Sequence, residues 1–170
     1  MKINEITEEI VTRQSIIDAM VAKNWPRQLQ KEFGTEALFD PPFSDGLNFV
    51  NGLDLEPDTP QMVSNQALLQ NKENQGIIAM VPPEVVDIIN KKWGTRFQSN
   101  PAQQHDTKPE RYMQYAKMTA STALPSTIVD GEIIYGNGRF IAALLRGDKQ
   151  LKVWNLKRNS NSTLNVKATI

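Results

Sequence analysis

The residues best suited to chemistry form one short stretch, Gly136-Asn137-Gly138-Arg139-Phe140, where an apolar strand runs through a glycine-rich turn into a helix. The first N–H groups of a helix have no intrahelical acceptor and lie at the positive end of its dipole, so they bind anions. An arginine beside them adds a planar cation that matches a phosphate. We therefore predict a phosphate site formed by the N–H groups of residues 138–140 and the Arg139 guanidinium, with Asn137 as the helix N-cap.

The same turn also has a purely structural interpretation. The glycines would then only permit a tight connection, and Arg139 would pair with a nearby carboxylate such as Glu132. Asp130 and Glu132 are the acidic residues that stand out beside the motif, so they are the candidate acidic partners for any metal-dependent reaction there. The residue types leave both interpretations open.

The elements that position this stretch are predicted by local signals. Asp130-Gly131 between two β-rich runs indicates a hairpin. A helix is predicted over 137–147 and another over 110–122, the latter opened by a proline. A last strand is predicted over 151–156. The order helix, hairpin, helix, strand indicates an α+β domain.

Residues 124–144 resemble the core of the ParB/sulfiredoxin-like superfamily, the group of the ParB-like nuclease domain. In that group a hairpin leads into a Gly-containing turn with arginine, and an Ala-rich helix and a short strand follow. The resemblance spans residues 108–157. It implies a small ParB/sulfiredoxin-like α+β core, to which this chain adds an N-terminal helical extension.

The resemblance assigns roles to residues of the turn. Gly136 would be the turn glycine of the phosphate-binding box. Arg139 matches the second arginine of the box, and Phe140 matches an aromatic residue or histidine. These roles imply a phosphate ligand at the same place that the backbone argument indicates.

The turn departs from the family pattern at three positions. Gly138 and Ile141 stand where ParB proteins have arginines, and Asn137 stands where many members have an acidic residue. The chain also has no cysteine, which excludes the sulfinic-acid reductase chemistry of sulfiredoxins. The resemblance therefore implies phosphate binding more directly than it implies catalysis.

Two classes of function follow from the resemblance. The first is a ParB-like protein that binds the phosphate of a nucleic acid or of a nucleotide, CTP or ATP, with Mg²⁺ only if a nucleotide binds; nuclease or NTPase activity belongs to this class. The second is a non-enzymatic protein-interaction module, a host-factor inhibitor or a phage structural or accessory protein, on a degenerate ParB-like scaffold. The size and the start of the chain resemble proteins of tailed-phage genomes, and either class is compatible with oligomers.

Composition narrows the partners and the compartment. The 170 residues include 19 Lys and Arg against 19 Asp and Glu, so no global charge attracts nucleic acid or an anionic membrane. The absence of cysteine and the single histidine exclude thiolate and histidine-cluster metal sites, and we predict no metal. The sequence has no apolar run of membrane-spanning length, and because its first five residues are polar and acidic we expect no signal peptide. We expect a cytoplasmic protein, of a bacterial host if phage-encoded, with no membrane partner.

Three segments are predicted along the chain: an N-terminal helical segment with a Pro/Gly-containing loop over 1–62, the ParB-like core over 63–157, and a polar tail over 158–170. Apolar residues at helical spacing predict further helices over 5–24, 27–33, 63–72 and 84–93. Short apolar runs predict strands at Leu47–Val50 and Gly76–Val81.

Several other residues have a functional and a structural interpretation. His105 and Asp106 could form an acid/base pair or lie exposed in a polar loop. Asp54, Glu56 and Asp58 alternate and could bind a metal through oxygen, or belong to a solvated loop.

Basic and aromatic residues elsewhere are open to the same two interpretations. Two groups of basic residues could contact nucleic acid or could be ordinary solvated faces. One group is Lys91-Lys92 with Arg96, and the other is Lys149, Lys152, Lys157 and Arg158. Trp93 and Trp154 fit a core better than a base-stacking platform.

Overall fold

The computed structural model describes residues 10–34, 40–104, 107–119 and 124–161. The chain divides into two compact units. One comprises the residues up to Thr59 together with those from Leu156 onward, and the other runs from Pro60 to Asn155. Both helices and strands are present, so the predicted α+β class is confirmed.

The first unit is mainly helical. Its elements are α1 (Arg13–Ala22), α2 (Arg27–Phe33), α3 (Phe43–Asn51), β1 (Leu53–Leu55) and the last residues of β5 (Gln150–Arg158), with which β1 pairs antiparallel. Its core contains an aromatic group in which the Phe33 ring lies 5.2 Å from the Trp25 ring and 5.8 Å from the Phe49 ring. Tilted rings at such separations stabilise a small core beyond the area that they bury.

The second unit contains the predicted phosphate-binding turn. Its elements are β2 (Gln61–Ser64), α4 (Asn65–Leu69), α5 (Lys72–Ala79), α6 (Pro83–Trp93), α7 (Pro109–Met118), β3 (Ser126–Val129), β4 (Glu132–Tyr135), α8 (Asn137–Arg146) and β5 as far as Asn155. Within the unit the strands follow the order β2–β5–β3–β4. β2 is antiparallel to β5, and β3 is antiparallel to β4.

Helix α8 lies at the centre of this unit. Six successive residues, 140–145, are buried, and Phe140 and Leu144 are fully so. A helix that is apolar over so much of its circumference has to be enclosed by other elements. Helices α6 and α7 contact it, and the buried side chains of β3 and β5 belong to the same core cluster. The start of α8 is therefore rigidly positioned.

The hairpin that leads to α8 forms as the Asp-Gly signal predicts. Asp130 has φ 48° and Gly131 has φ 88°, the left-handed values that a two-residue hairpin turn requires. Helices predicted over 27–33 and 84–93 are confirmed, and so is the helix over 137–147.

Other predicted elements are confirmed in part. The helix predicted over 63–72 forms only as the short α4, capped by Ser64. Within the described residues, the helices predicted over 5–24 and 110–122 appear as α1 and α7. The strand predicted over 151–156 is present as β5, which extends beyond the predicted range at both ends. The division into segments 1–62, 63–157 and 158–170 stays a prediction.

The prediction of a strand at Gly76–Val81 is wrong, because the first four of these residues lie in helix α5. The Asn71 side chain caps the helix and accepts the backbone N–H groups of Glu73 and Asn74 at 2.9 and 3.3 Å. The apolar pair Ile77 and Ile78 is the buried side of this short helix. A brief apolar run has no period of its own, so the upstream cap decides between helix and strand.

The strand predicted at Leu47–Val50 is wrong for a similar reason. These residues lie in α3, where Gly46 and Val50 are buried four positions apart on one helix face. Pro42 precedes the helix and Gly52 ends it. The helical spacing of the apolar residues over 43–51 indicates the structure correctly, whereas the apolar run of four residues does not.

Asn74 is a fully buried side chain of the second unit that makes three hydrogen bonds. Its Nδ2 donates to the carbonyl oxygens of Leu68 at 2.9 Å and Gly131 at 2.8 Å. Its Oδ1 accepts the backbone N–H of Ile133 at 2.8 Å. The side chain therefore provides hydrogen-bond partners for backbone groups at the outer edge of the hairpin and joins the hairpin to α5. None of its surface is exposed to solvent.

None of the helices in the described ranges is long and apolar enough to span a lipid bilayer.

Candidate phosphate-binding site

Gly136 forms the junction between β4 and α8. It has φ 87°, and a Cβ atom at this position would lie 2.5 Å from the Ser126 Oγ and 2.9 Å from the Ser126 Cβ. The Ser126 hydroxyl donates to the Gly136 carbonyl at 3.1 Å. The left-handed φ and the close approach both require glycine, so the turn is a fixed geometric feature of the unit.

The helix N-cap is Gly136 rather than Asn137, which corrects the predicted cap. Asn137 is the first helical residue and is exposed, and no side chain caps the helix. The left-handed glycine takes the cap position because Ser126 leaves no space for a side chain there.

The backbone donors that face solvent are fewer than the sequence indicates. The Phe140 N–H donates to the Gly136 carbonyl at 3.1 Å, and its ring is fully buried in the core. Asn137 and Gly138 are exposed, and the N–H groups of a first helical turn have no intrahelical acceptor. The backbone part of the predicted anion site therefore centres on Asn137 and Gly138.

The Arg139 side chain folds back toward the start of the hairpin. Its Nη1 donates to the Pro125 carbonyl at 2.6 Å. Among the described residues no ion pair joins Arg139 to Glu132, so the carboxylate pairing of the structural interpretation does not form. Arg139 is instead a half-buried cation fixed beside the turn.

Asp130 and Glu132 lie away from the turn. Both are at the hairpin end of β4, whereas Gly136 follows its other end. At 3.3 Å per residue, the strand separates the Cα atoms of Glu132 and Gly136 by about 13 Å. The structure therefore does not bring the predicted acidic partners to the phosphate turn.

A groove borders the start of α8, and we call it the α7–α8 groove. It has a volume of about 410 Å³, and its lining includes Arg111, Tyr112, Tyr115, Met118 and Gly138. The residues from α7 recur at helical spacing on one face. The sequence places Tyr112 and Tyr115 on a common face, but only the packing of α7 on α8 shows that this face adjoins the turn.

Tyrosine rings form the wall of this groove. The Tyr115 Cε2 lies 3.7 Å from the position that a Cβ of residue 138 would take, so the ring covers the first turn of α8 where it has no side chain. Tyr115 remains 39% exposed. Burial raises the pKa of Tyr112, against a smaller opposite effect of Thr107, so Tyr112 remains a neutral hydroxyl at physiological pH.

A second, smaller groove includes Arg139 of the first turn of α8 and Arg146 of its last turn, and we call it the Arg139 groove. Its volume is about 150 Å³, and Arg139, Arg146 and Lys152 lie in its lining with Asp148 and Leu124. Arg146 is held in place by three partners: Asp148 at 2.9 Å, the Ala116 carbonyl at 2.7 Å and the Thr119 hydroxyl at 3.0 Å.

The alternating acidic residues of the first unit do not form a metal site. Asp54 accepts hydrogen bonds from Lys23 Nζ and Asn159 Nδ2, both at 3.0 Å. Within the described ranges, no three His, Cys, Asp or Glu side chains are grouped to hold a metal ion. Asp54 thus acts as a tether between the helices and the end of β5.

We expect the Asp54 tether to make stability depend on pH. The hydrogen bonds from Lys23 and Asn159 lower the pKa of Asp54 below its usual 3.8. Its contribution is therefore present at neutral pH and is lost as the pH falls through the lowered pKa. Asp54→Asn should cost about 0.2–1 kcal/mol at pH 7, the range of exposed ion pairs, and less at an acidic pH below the lowered pKa. Urea unfolding at the two pH values measures this, and an equal cost at both would contradict it.

The remaining predicted residues are placed as follows. His105 and Asp106 lie outside the described residues. Lys91 and Lys92 are exposed at the end of α6. Trp93 Nε1 donates to the Leu144 carbonyl at 2.9 Å, which fixes its ring against the core.

Comparison with models of protein families, with curated proteins and with solved structures finds no match to this chain. The site is therefore interpreted from its own geometry.

Proposed function

We propose that this chain binds a phosphate group of a nucleotide or nucleic acid at the start of α8, as a ParB/sulfiredoxin-like protein would. The observation that carries the proposal is the α7–α8 groove. There a cation, Arg111, two tyrosines and the exposed Gly138 of the first helical turn border one cavity. Convergence of these groups supports a ligand that has both a charged and an aromatic part.

The size of the groove supports this class of ligand. Pockets for small organic ligands have volumes of about 300–1,000 Å³, and the α7–α8 groove lies within that range at about 410 Å³. The polar groups are few and lie beside apolar walls, which is the usual composition of such pockets. A single nucleotide is a ligand of suitable size.

Each part of the groove would contact a different part of the nucleotide. The Asn137 and Gly138 N–H groups and the Arg111 guanidinium would bind the phosphate, since both carry donors and positive charge. The partly exposed Tyr115 ring would stack on the base. No catalytic step is proposed, because Asp130 and Glu132 lie away from this groove.

We expect Arg111→Ala to weaken nucleotide binding about tenfold, because it removes one charge-assisted hydrogen bond to phosphate. Fluorescence anisotropy with labelled CTP, ATP and a short DNA oligonucleotide, with and without Mg²⁺, measures the affinities. Arg139→Ala should have a smaller effect on nucleotides, because its Nη1 binds the Pro125 carbonyl.

Lys117→Ala is the matched control for Arg111→Ala. Lys117 is an exposed cation of the same helix and is not among the residues that line the groove. Equal losses in the two variants would indicate non-specific charge attraction and contradict the site. Failure of the wild type to bind any of the three probes would contradict the proposed function itself.

A non-enzymatic protein-interaction module is the second candidate, and exposed apolar side chains favour it. Met62, Met118 and Leu124 of the second unit are 53%, 71% and 59% exposed. Met62 and Leu124 line the same groove, and exposed apolar side chains that share a surface are typical of protein contacts. A stoichiometric partner isolated from host lysate that binds Arg111→Ala as well as wild type, but not Met118→Asp, would support this candidate over phosphate binding.

A further inference from the structure

We infer that the ligand is a single-stranded nucleic acid, one nucleotide of which occupies the α7–α8 groove while the adjacent phosphate enters the Arg139 groove. This inference rests on the proposed function and extends it from a phosphate-bearing ligand to a polymer. It is carried by the distribution of charge, the unequal volumes of the two grooves and the exposed side chains that line them.

Positive charge is concentrated along the two grooves. The chain as a whole has no net charge. The charged side chains that line the grooves are nevertheless mostly cationic: Arg111, Arg139, Arg146 and Lys152, with Asp148 as the one carboxylate among the described lining residues. Asp148 is itself paired with Arg146 at 2.9 Å. A local cationic track on a neutral protein fits a polyanion that the protein must bind at one place.

The two grooves differ in size in the way that a polynucleotide requires. The α7–α8 groove, about 410 Å³, accommodates a base with its sugar, whereas the Arg139 groove, about 150 Å³, accommodates only a small group such as a phosphate. Gly138 lines the first groove and Arg139 lines the second, so both grooves adjoin the first turn of α8. A polynucleotide with one unit in the first groove would pass over this turn to place its next phosphate in the second, whereas a mononucleotide would occupy the first groove alone.

The surface beside the grooves is suited to unpaired bases. Tyr115 and Met118 in the first groove are 39% and 71% exposed, and Leu124 in the second is 59% exposed. Single-strand binding proteins combine a cationic path with such side chains, because the faces of unpaired bases are free to stack. In a duplex those faces are covered, so Tyr115 could not contact them.

The test compares a fluorescein-labelled oligothymidylate of about 12 nucleotides, within the usual site sizes, with TTP and with a hairpin duplex. We expect the oligothymidylate to bind at least tenfold more tightly than either. Tyr115→Ala should weaken its binding about tenfold, since one stacking contact is lost. Lys152→Ala should reduce the preference for oligothymidylate over TTP and lower the slope of log K against log salt by about 0.7.

Lys91→Ala is the control for Lys152→Ala, because Lys91 is an exposed lysine of α6 that borders neither groove. If TTP binds and oligothymidylate binds no more tightly, the inference is wrong and the proposed function stands. Binding of the duplex as tightly as the single strand, or equal salt slopes for Lys152→Ala and Lys91→Ala, would also overturn the inference. If none of the probes binds, both the inference and the proposed function fail.

Discussion

Asn74→Ala is expected to lower the free energy of unfolding by about 2–4 kcal/mol, because it leaves two backbone groups of the hairpin without their hydrogen-bond partner. These groups are the carbonyl of Gly131 and the N–H of Ile133, both 2.8 Å from Asn74 atoms. The Leu68 carbonyl, 2.9 Å from Asn74 Nδ2, also accepts the Asn71 N–H and keeps that partner. Each unsatisfied buried group costs about 1–3 kcal/mol, and some regain water. Urea unfolding followed by circular dichroism measures the change.

The neighbouring Asn71 provides the control for this substitution. Its side chain caps the same helix, but its hydrogen bonds are local and at the protein surface. Asn71→Ala should cost about 1 kcal/mol, the usual effect of a lost cap. A cost for Asn74→Ala no larger than that of Asn71→Ala would show that the buried contacts do not hold the hairpin, and would contradict our description of this unit.

Gly136→Ala should destabilise the protein by about 2–5 kcal/mol. A non-glycine residue in the left-handed region costs about 1–2 kcal/mol, and overpacking adds about 1–3 kcal/mol. The clash is with Ser126, whose Oγ would lie 2.5 Å from the new Cβ. The same denaturation experiment measures the loss. The start of α8 should also move, so ligand binding should weaken in the protein that remains folded.

Gly147→Ala separates the two causes of this loss. Gly147 ends the same helix with φ 79°, and no side chain lies within 4 Å of the position that its Cβ would take, apart from those of its chain neighbours. It therefore carries the conformational cost without the clash, and should cost about 1–2 kcal/mol. Equal costs in the two variants would mean that Ser126 moves away easily and that the turn is not a fixed feature.

Local sequence signals were sufficient to predict the elements around the candidate site. Asp130-Gly131 requires a left-handed turn that few residue pairs adopt, and the apolar spacing after Gly136 gives α8. These signals act over a few residues, so neighbouring residues alone determine the outcome. The α+β class followed from them.

The parts that could not be predicted depend on contacts distant in sequence. Asn74 is 59 residues from Ile133, which it bonds, so nothing near it in the sequence indicates its role. The wrong strand prediction at Gly76–Val81 differs from this case, because the signal that decides it, the Asn71 cap, is local. The α7–α8 groove likewise exists only because two helices pack together, which brings Arg111 and Tyr115 to Gly138.

The central claim is that the start of α8 and the adjoining face of α7 bind a phosphate-bearing nucleic-acid ligand. The most direct test is a titration of the ¹⁵N-labelled protein with oligothymidylate, followed by amide chemical shifts. We expect the largest shifts at Asn137 and Gly138, with further shifts at Arg111 and Tyr115, all saturating at one concentration. Shifts confined to other residues, or no shifts at millimolar ligand, would contradict the claim.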